Sequence, residues 1–329
     1  MRALVTGAAG FIGSHLTEQL LADEHSVVGL DDLSTGAHEN LAPVLGRSRF
    51  RLVRGTILDS ETVDELVSGV DVVFHMAAAV GAFVIRDRAR ESLMTNIHGT
   101  ENVLAAAHRH GARLLLASTS EIYGKNSTVG LGEDDDRVVG SPLKSRWSYS
   151  EAKAIDESLT DCYVRESGLG AVIVRLFNTV GPRQTGRYGM VVPRFVRQAL
   201  DGSPLTVFGT GEQVRCFCHV HDVVPALIRL ATLPRANGLA VNLGNSSQVT
   251  ISELAARVIA LTGSTSSVEY VPYEEAYGSG YEDMLLRVPD CSRARELIGF
   301  RPVRDLDEII TTVVDDQLLG RRSRTAAVS

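Results

Sequence analysis

The stretch VTGAAGFIGSHL, Val5–Leu16, places three glycines between an apolar strand and the first turn of a helix. Gly7 permits a tight turn after the strand, Gly10 lets the backbone approach a pyrophosphate, and Gly13 lets the helix pack against the strand. The N-terminus of such a helix favours an anion. This strand–turn–helix context favours a dinucleotide-binding loop over a plain tight turn.

The next apolar run, VVGLDD, ends in Asp31 and Asp32. A carboxylate at this distance after the glycines is expected to bind the 2′-hydroxyl of a dinucleotide ribose. Because the same negative charge repels a 2′-phosphate, Asp31 predicts NAD rather than NADP as the cofactor.

Short apolar runs alternate with segments of helical periodicity from residue 1 to about 175. The helical segments include SHLTEQLLA, ETVDELVSG and TENVLAAAHRHG. The apolar runs predict strands at Ala3–Thr6, Ser26–Leu30, Phe50–Val53, Val70–His75, Arg113–Ala117 and Ala171–Leu176. Alternation of this kind predicts an α/β fold with a Rossmann-type doubly wound parallel sheet.

The alternation weakens after residue 177, which predicts a boundary there. We expect a nucleotide-binding domain at 1–177, a smaller α/β C-terminal lobe at 178–319, and a flexible tail at 320–329. In the lobe, VVPRFVRQALDG predicts a helix and PLTVFGTGEQVRCFCHV a strand, a turn and a strand. TISELAARVIALTG predicts a helix capped by Thr250 or Ser252, and YEEAYGSGYEDMLLRVPD a polar binding loop.

The stretch WSYSEAKAIDE places Tyr149 and Lys153 four residues apart on a predicted helix, hence on one face. A lysine ammonium beside a phenol is expected to lower the tyrosine pKa from its usual value of about 10. Such a tyrosine can accept a proton from a sugar hydroxyl near neutral pH. Taken alone, the spacing favours two surface residues, so its weight depends on the motifs around it.

Further motifs occur in a fixed order along the chain. HMAA at His75–Ala78, NIHGT at Asn96–Thr100 and a hydroxyl cluster at 118–120 follow the glycine loop, and RLFNTVGPR follows the Tyr–Lys pair. Together these motifs resemble the extended short-chain dehydrogenase/reductase family of nucleotide-sugar epimerases, dehydratases and decarboxylases. The resemblance covers nearly the whole chain. It implies bound NAD, a UDP-sugar substrate held mainly by the 178–319 lobe, and oxidation of the sugar at C4 as the first step.

The resemblance also implies roles for individual residues. Tyr149 would be the general base, Lys153 its partner and a ribose contact, and Thr119 a second hydrogen-bonding group for the sugar O4. The implied cofactor contacts are Gly7, Gly10, Phe11, Ile12, Gly13, Asp31, Asp32, Ser34, Thr35, Gly36, Ile57, Asp59 (at the adenine), Ala77, Ala78, Asn96, Tyr149 and Lys153. The implied substrate contacts are Val80, Asn178 and Arg215 (both at the diphosphate), Arg183, Val192, Phe208 and Arg287.

The strand end LLLASTSEIYG, Leu114–Gly124, narrows the reaction. Simple 4-epimerases that resemble this chain carry a small residue where Glu121 stands, and the thymidine-linked 4,6-dehydratases carry Asp-Glu where this chain has Ser120 and Glu121. Thr-Ser-Glu resembles the UDP-glucuronate decarboxylases, or UDP-xylose synthases. GDP-mannose 4,6-dehydratases share it, but their glycine loop and middle region look unlike this chain.

Decarboxylation also follows as chemistry, because UDP-glucuronate oxidised at C4 is a β-keto acid. Loss of CO₂ leaves an enolate that Thr119 and Tyr149 could stabilise and that must be protonated at C5. Glu121 and Arg287, in LLRVPD, are the candidates to steer this proton and to position the carboxylate. Arg287 is equally typical of a diphosphate or surface contact. The expected product is UDP-xylose, a UDP-4-keto-pentose, or both.

One position departs from the decarboxylase pattern, in which a tyrosine stands in the loop after the HMAA-type motif. This chain has Ile85 there, and Arg86 or Arg88 could take over the carboxylate contact, although both are typical of surface charges. UDP-hexose 4-epimerisation, of glucose or glucuronate, therefore stays open. A non-catalytic NAD-sensing module is a remote alternative, because it would be expected to lose the Tyr–Lys pair.

The run CFCHVHD, Cys216–Asp222, has the residue types of a metal site. As a strand, however, it places its cysteines and histidines on opposite faces, so the four do not close a tetrahedral site and no metal is predicted. The acidic run EDDDR at 133–137 is more typical of a solvated loop. His75 is expected to pack near the cofactor without a catalytic role.

Composition limits the partners and the compartment. The 329 residues are 44% hydrophobic and carry a net charge of −7, which argues against nucleic acid and anionic membranes. No window approaches the roughly 18 apolar residues of a membrane span, and the first residues lack the layout of a signal peptide. Because Cys162, Cys216, Cys218 and Cys291 follow no disulfide spacing, a cytoplasmic location is expected.

The resemblance also implies a homodimer. Its interface would be a four-helix bundle, formed by the helix around RESLMTNIHGTENVLAAAHRHG and the Tyr149 helix of each copy.

Overall fold

The computed structural model describes residues 1–81, 86–278 and 282–326. Its strands are β1 (Arg2–Thr6), β2 (Ser26–Asp31), β3 (Phe50–Arg54), β4 (Val72–His75), β5 (Arg113–Thr119), β6 (Ala171–Leu176), β7 (Thr179–Val180), β8 (Leu205–Phe208), β9 (Val214–Cys216), β10 (Cys218–His219), β11 (Ala240–Leu243), β12 (Gln248–Thr250) and β13 (Val268–Val271). Its helices are α1 (Phe11–Ala22), α2 (Ser60–Val67), α3 (Ala89–His110), α4 (Ser148–Ser167), α5 (Val191–Leu200), α6 (Val220–Thr232), α7 (Ile251–Thr262), α8 (Tyr273–Tyr277), α9 (Ser292–Ile298) and α10 (Leu306–Ala326).

The central sheet has seven parallel strands in the order β11-β6-β5-β4-β1-β2-β3. The chain winds outward from β1 in both directions, so the predicted doubly wound sheet is confirmed. All six predicted strands are present, and their bounds differ from the prediction by at most two residues. One face packs on α1 and α6, and the other on α2, α3 and α4.

The seventh strand of the central sheet comes from the region beyond residue 177, where the domain boundary was predicted. The chain returns from the second lobe to add β11 beside β6, and α6 packs against α1 beneath the sheet. Apolar side chains such as Val223, Leu227 and Leu230 are fully buried there. The prediction missed this return because α6 and β11 follow a long, irregular excursion, and their apolar pattern does not show which sheet they join.

The second lobe packs α5, α7 and α10 around a core that includes Phe195, Leu254 and Ile309. The predicted helices are present, and Thr250 rather than Ser252 caps α7, in a capping box with Glu253. The predicted strand–turn–strand also forms, but its strands do not pair with each other. Instead β8 pairs with β13 and β9 pairs with β12, so distant segments hold the lobe together.

Two predicted irregular segments contain helix. The polar segment after residue 272 begins with the short helix α8, and residues 279–281 of it lie outside the described part. The predicted tail at 320–329 overlaps α10, which continues to Ala326, while residues 327–329 also lie outside.

The stretch at 216–222 is not one strand. The chain forms β10 at Cys218–His219, and α6 begins directly afterwards, where His219 accepts the backbone N–H of His221 as the N-cap. Within the described residues, histidine, cysteine and acidic side chains form no cluster that could hold a metal. All four cysteines are free thiols. No described helix is long and apolar enough to cross a membrane.

The glycine loop is closely packed on all sides. Gly7 has φ +70°, and a Cβ there would lie 2.9 Å from the backbone of Ala77. A Cβ on Gly13 would lie 2.0 Å from the Gly7 carbonyl oxygen, well inside van der Waals contact. The loop can therefore lie this close to the first helix and to the β4 end only with glycine at both positions.

We predict that Gly13→Ala forces the loop away from α1 and destabilises the protein. The clash is with backbone, so the expected loss is about 1–3 kcal/mol, the range typical of overpacked sites. Thermal and urea unfolding measure it. Gly69→Ala is the matched control, because a Cβ at Gly69 meets no atom within 4 Å. Equal stability of the two variants would show that the loop has room to move.

Candidate active site

One cleft of about 890 Å³ lies across the carboxyl ends of the parallel strands. Such strand ends are where doubly wound sheets bind ligands. Most of the predicted site residues line it: Gly7, Gly10, Phe11, Ile12, Gly13, Asp31, Asp32, Ser34, Thr35, Gly36, Ile57, Ala77, Ala78, Val80, Thr119, Ser120, Glu121, Tyr149, Asn178, Arg183, Val192, Phe208, Arg215 and Arg287. The structure therefore brings together residues predicted from segments far apart in the chain.

Three predicted site residues lie outside the lining and make other contacts. The Asp59 carboxylate caps α2, accepting from the backbone of Glu61 and Thr62, so its contact with adenine stays a prediction. Asn96 holds the segment after β4 through two hydrogen bonds to Ala79. Lys153 is 1% exposed and lies beneath the cleft floor.

Asp31 shapes the dinucleotide end. Its carboxylate accepts the N–H of Ala9, 2.8 Å away, and the N–H of Leu33, also at 2.8 Å. Burial raises its pKa, and these hydrogen bonds act against the increase. Asp31 thus ties the glycine loop to the end of β2. Together with the close approach that Gly7 and Gly13 allow, this arrangement fits NAD, whose pyrophosphate needs bare backbone and whose ribose needs an acceptor.

Tyr149 and Lys153 share one face of α4, but the environment of the pair differs from the expectation. Lys153 Nζ lies 3.1 Å from Asp156 Oδ2, and both side chains are buried. Burial raises the pKa of Tyr149, and the negative charges of Glu121 and Asp156 raise it further. The expected lowering of this pKa is therefore wrong for the structure, because burial and the two carboxylates disfavour the phenolate.

A chain of buried polar side chains runs from the glycine-loop strand β1 to Thr100 on α3. Thr6 Oγ1 accepts the Ala77 N–H, so its own proton is available to His75 Nδ1, 2.8 Å away. The other ring nitrogen of His75 lies 3.1 Å from Thr100 Oγ1. Burial lowers the pKa of His75 to about 3, so the ring is neutral and orients its neighbours without carrying charge. The expected packing of His75 near the cofactor stays a prediction.

The three hydroxyls at the β5 end separate into different roles. Ser118 donates to Glu157, which also binds Arg175, and this buried group joins β5, β6 and α4. Thr119 Oγ1 accepts the N–H of Glu121, which leaves its proton free for an acceptor in the cleft. Ser120 is buried at the cleft wall. Thr119 and Ser120, which were predicted as site residues, therefore line the cleft, whereas the Ser118 hydroxyl is used in the buried group with Glu157.

Glu121 lies between two guanidiniums. Its carboxylate is 2.6 Å from Arg146 Nη1 and 3.4 Å from Arg287 Nη1. Burial alone would raise the pKa of Glu121, but Arg146 and Arg287 outweigh it and lower the pKa to about 2. Arg287 Nη2 also donates to Asn178 Oδ1, and its Nε has no partner within the described residues. The cluster thus holds two positive charges against one negative charge.

Arg146 was missed in the sequence analysis. It stands three residues before Tyr149, on the turn that leads into α4, and its side chain is 10% exposed. The available signal was its closeness to the Tyr–Lys pair, since a residue at the start of that helix must face the same cleft.

Glu282 fixes the two arginine-bearing segments to each other. Its carboxylate accepts the Trp147 indole N–H at 2.9 Å and binds the ammonium groups of Lys144 and Lys125. Trp147 directly follows Arg146, and Glu282 lies on the segment that leads to Arg287. These contacts of Glu282 therefore help to keep both guanidiniums at Glu121.

The other predicted cations of the cleft have carboxylate partners. Arg215 Nη2 lies 3.0 Å from Asp283, and Arg183 Nη2 lies 2.7 Å from Glu18 on α1. Arg86 pairs with Asp87 and Arg88 with Glu91, all on the cleft rim. Ile85 lies outside the described residues, so its role stays a prediction.

The acidic run at 133–137 is a loop whose members differ in exposure. Asp134, Asp136 and Arg137 are exposed, as expected of a solvated loop. The side chain of Glu133, however, is only 6% exposed: it accepts the backbone N–H of Asn242 and lies 3.8 Å from Arg293. Asp134 pairs with the same arginine. Glu133 thus connects the loop to β11.

A glycine loop, an acidic residue after β2 and a Tyr–Lys pair at the strand ends define a dinucleotide-dependent enzyme of the short-chain dehydrogenase/reductase class. The chain belongs to the NAD dependent epimerase/dehydratase family, whose model matches residues 3–244.

Similar proteins agree with this assignment. The chain is 41% identical over 305 residues to a UDP-N-acetyl-alpha-D-glucosaminuronate decarboxylase of Bacillus cytotoxicus, covering 92% of each. It is 37% identical to UDP-glucuronic acid decarboxylase 1 of Danio rerio, covering 93% of this chain and 70% of that protein. A solved UDP-glucuronic acid 4-epimerase of Bacillus cereus, in complex with UDP-glucuronic acid and NAD, has a TM-score of 0.87 at 29% identity, covering 97% of this chain and 100% of that one.

We predict that Asp156→Asn lowers the pKa of Tyr149. Removing this carboxylate leaves the Lys153 charge free to favour the phenolate, by about one pKa unit or more. Activity that needs the phenolate should then rise at a lower pH, shifting that limb of the pH–rate profile downward. Difference spectra of tyrosine ionisation, taken against the same protein with Tyr149→Phe, measure the pKa directly.

Asp161→Asn serves as the control, because Asp161 is an exposed residue of the same helix that pairs with Arg165. An unchanged pH profile in Asp156→Asn, with the protein folded, would show that the lysine is not governed by this carboxylate.

Proposed function

We propose that this protein is a UDP-hexuronate decarboxylase that uses bound NAD and a 4-keto intermediate. The observation that carries the proposal is the cluster of Glu121 with Arg146 and Arg287. Two guanidiniums converge on one carboxylate there, so a second carboxylate can be bound by the same arginines. A neutral hexose offers no negative charge to these guanidiniums, whereas the carboxylate of a hexuronate can bind them.

The names of the similar decarboxylases support the same chemistry. They include enzymes for UDP-glucuronate and for its 2-acetamido counterpart, so both acids are candidate substrates. UDP-glucuronate is the proposed substrate, and its 2-acetamido counterpart is the second acid to be tested.

Thr119 and Tyr149 hold the reacting hydroxyl. The free proton of Thr119 can be donated to O4, and Tyr149, in the minor phenolate form, accepts the O4 proton as the carbonyl forms. NAD, when bound, supplies the oxidation at C4. The resulting 4-keto acid loses CO₂, and the enolate oxygen is then stabilised by the same two hydroxyls.

Glu121 is the proposed proton donor to C5. At rest its pKa is about 2, so it is a carboxylate. A substrate carboxylate that binds Arg146 and Arg287 brings a like charge near Glu121 and shares its arginines, and both effects raise its pKa. Glu121 can then take up a proton from solvent. When CO₂ leaves, the pKa falls again and the proton passes to C5 of the enolate.

The second candidate is 4-epimerisation of UDP-glucuronate, which is the activity printed for the similar Bacillus cereus structure. It would use the same positive charge. It would not need Glu121, because rotation of a 4-keto sugar requires no proton transfer at C5.

We expect the purified protein with NAD to release CO₂ from UDP-glucuronate. The product is a UDP-pentose where the hydride taken from C4 is returned to C4, and a UDP-4-keto-pentose where it is not. Glu121→Ala should lower the rate of CO₂ release by about 100-fold or more, the typical contribution of a general acid. NAD binding should be unchanged, since Glu121 lies outside the glycine loop. Trapped CO₂ and mass spectrometry of the nucleotide sugars provide the measurement.

Glu151→Ala is the control, because Glu151 is an exposed residue near the same helix start that pairs with Arg137. Appearance of UDP-galacturonate without CO₂ would favour the epimerase. Turnover of neither UDP-glucuronate nor its acetamido counterpart would sink the decarboxylase proposal, as would full activity of Glu121→Ala.

We also propose a homodimer in the cytoplasm, joined through α3 and α4. These helices pack against each other and leave Met94 49% and Ile155 42% exposed. Exposed apolar side chains on neighbouring helices suit a four-helix interface with a second copy. The four free thiols suit a reducing compartment.

We expect the double variant Met94→Asp, Ile155→Asp to shift the protein from dimer to monomer, because it buries two charges at the proposed interface. Light scattering measures the mass. Leu261→Asp is the control, since Leu261 is 41% exposed on α7, away from these helices. A wild-type mass equal to that of one chain would rule out the dimer.

A further inference from the structure

Arg194 is a buried cation whose role no sequence motif had suggested. It stands in the first turn of α5, lines the cleft, and is only 7% exposed. Of the residues on this helix, only Val192 was predicted to contact the substrate.

The position of the guanidinium is well defined. Its Nη1 donates to Thr206 Oγ1 at 2.6 Å, and its Cζ lies 4.0 Å above the ring centroid of Phe208. Thr206 and Phe208 are two residues apart on β8, so both face Arg194. The Nε, also buried, has no hydrogen-bond partner among the residues that the structure describes.

The charge of Arg194 is not compensated in the way that its neighbours are. Arg215 and Arg287 each lie within 4 Å of a carboxylate, and Arg194 lies within 4 Å of none in the described part of the chain. Burial lowers the pKa of Arg194 to about 10; Tyr277 acts against this decrease and Arg197 adds to it, and the side chain is still charged near neutral pH. A buried guanidinium with an open donor is costly unless an acceptor completes it.

We propose that Arg194 binds the nucleotide half of a nucleoside-diphosphate sugar, through an oxygen acceptor on the diphosphate or on the base. This inference rests on the proposed function only in taking the substrate to be such a sugar. The other residues expected to bind the nucleotide already have hydrogen-bond partners. Arg215 is held by Asp283, and Asn178 by Arg287 and Cys216. The acceptor is not the uronate carboxylate, because that group is matched by the cluster at Glu121.

The stacked ring supports the assignment to the nucleotide. Phe208 contacts the guanidinium on one side and lies edge-on to Tyr277, with ring centroids 5.3 Å apart. Tyr277 and Tyr273 continue this aromatic wall along the cleft. A base has the flat apolar faces that such a wall accommodates, and its edge and phosphates carry the oxygens that Arg194 requires.

The test is UDP binding by calorimetry, which needs no turnover. Arg194→Met keeps the apolar stem but removes every donor, so we expect it to weaken UDP binding about 10- to 100-fold, the range for a hydrogen bond to a charged group. NAD affinity should stay unchanged. Arg197→Met is the matched control, since Arg197 is an exposed residue of the same helix.

UMP and uridine identify the acceptor. An equal loss of uridine affinity assigns the contact to the base, whereas a loss confined to UDP and UMP assigns it to the phosphates. UDP binding by Arg194→Met within twofold of the wild type would overturn the proposal. If thermal unfolding shows that this variant is not folded, Arg194→Lys replaces it. Lysine keeps the charge and loses the guanidinium fork, so unchanged UDP binding in that variant overturns the proposal equally.

The experiment also separates the two proposals. A wild-type protein that binds UDP but leaves UDP-hexuronates unchanged contradicts the proposed function alone. A wild-type protein that prefers GDP or TDP contradicts the UDP-sugar assignment, and the Arg194 comparison is then made with that nucleotide. Failure to bind any of the three nucleotides contradicts both.

Discussion

Burial of charge is the constraint on which the cleft depends. Each ionised group that the fold removes from water needs an opposite charge or a full set of hydrogen bonds. Lys153 has Asp156, Arg215 has Asp283, and Glu121 has two arginines. These pairs position the side chains more firmly than apolar packing would, because each carboxylate fixes the direction of its partner. They also set the protonation states with which any reaction in the cleft must begin.

The same constraint gives the cleft two distinct charged groups. At Glu121, two guanidiniums converge on one carboxylate, which suits an acidic sugar. At Arg194, a guanidinium lies against an aromatic ring with no carboxylate within 4 Å in the described residues, which suits an oxygen acceptor. The charge of Arg215 is already neutralised by Asp283. A substrate with an acidic sugar at one end and a nucleotide at the other complements this distribution, whereas a neutral sugar leaves part of it unmatched.

Local patterns made most of the nucleotide-binding half predictable. The glycine loop, the six strands and the Tyr–Lys spacing depend on residues that are close in sequence, and all appear in the structure. What could not be predicted depends on contacts between distant segments. The return of β11 to the sheet, the pairing of β8 with β13, and the meeting of Arg146 with Arg287 are set by tertiary packing. For the same reason the Tyr149 pKa was predicted in the wrong direction: the spacing shows Lys153, but not the burial of the phenol or the approach of Glu121 and Asp156.

The pKa values of Glu121 and Tyr149 are shifted in opposite directions. Glu121 is held far below its usual pKa by two arginines, while Tyr149 is held above its usual pKa by burial and two nearby carboxylates. At rest, therefore, the carboxylate is charged and the phenol keeps its proton. Surroundings that push the pKa values of two groups apart assign the acid role to one group and the base role to the other. Here the assignment at rest is the reverse of what decarboxylation needs, since Tyr149 must accept a proton and Glu121 must later donate one. In the proposed mechanism, an acidic substrate shares the arginines with Glu121 and so raises the pKa of Glu121, which removes this half of the mismatch. On that proposal, Glu121 acts as an acid at C5 only while a carboxylate occupies the cleft.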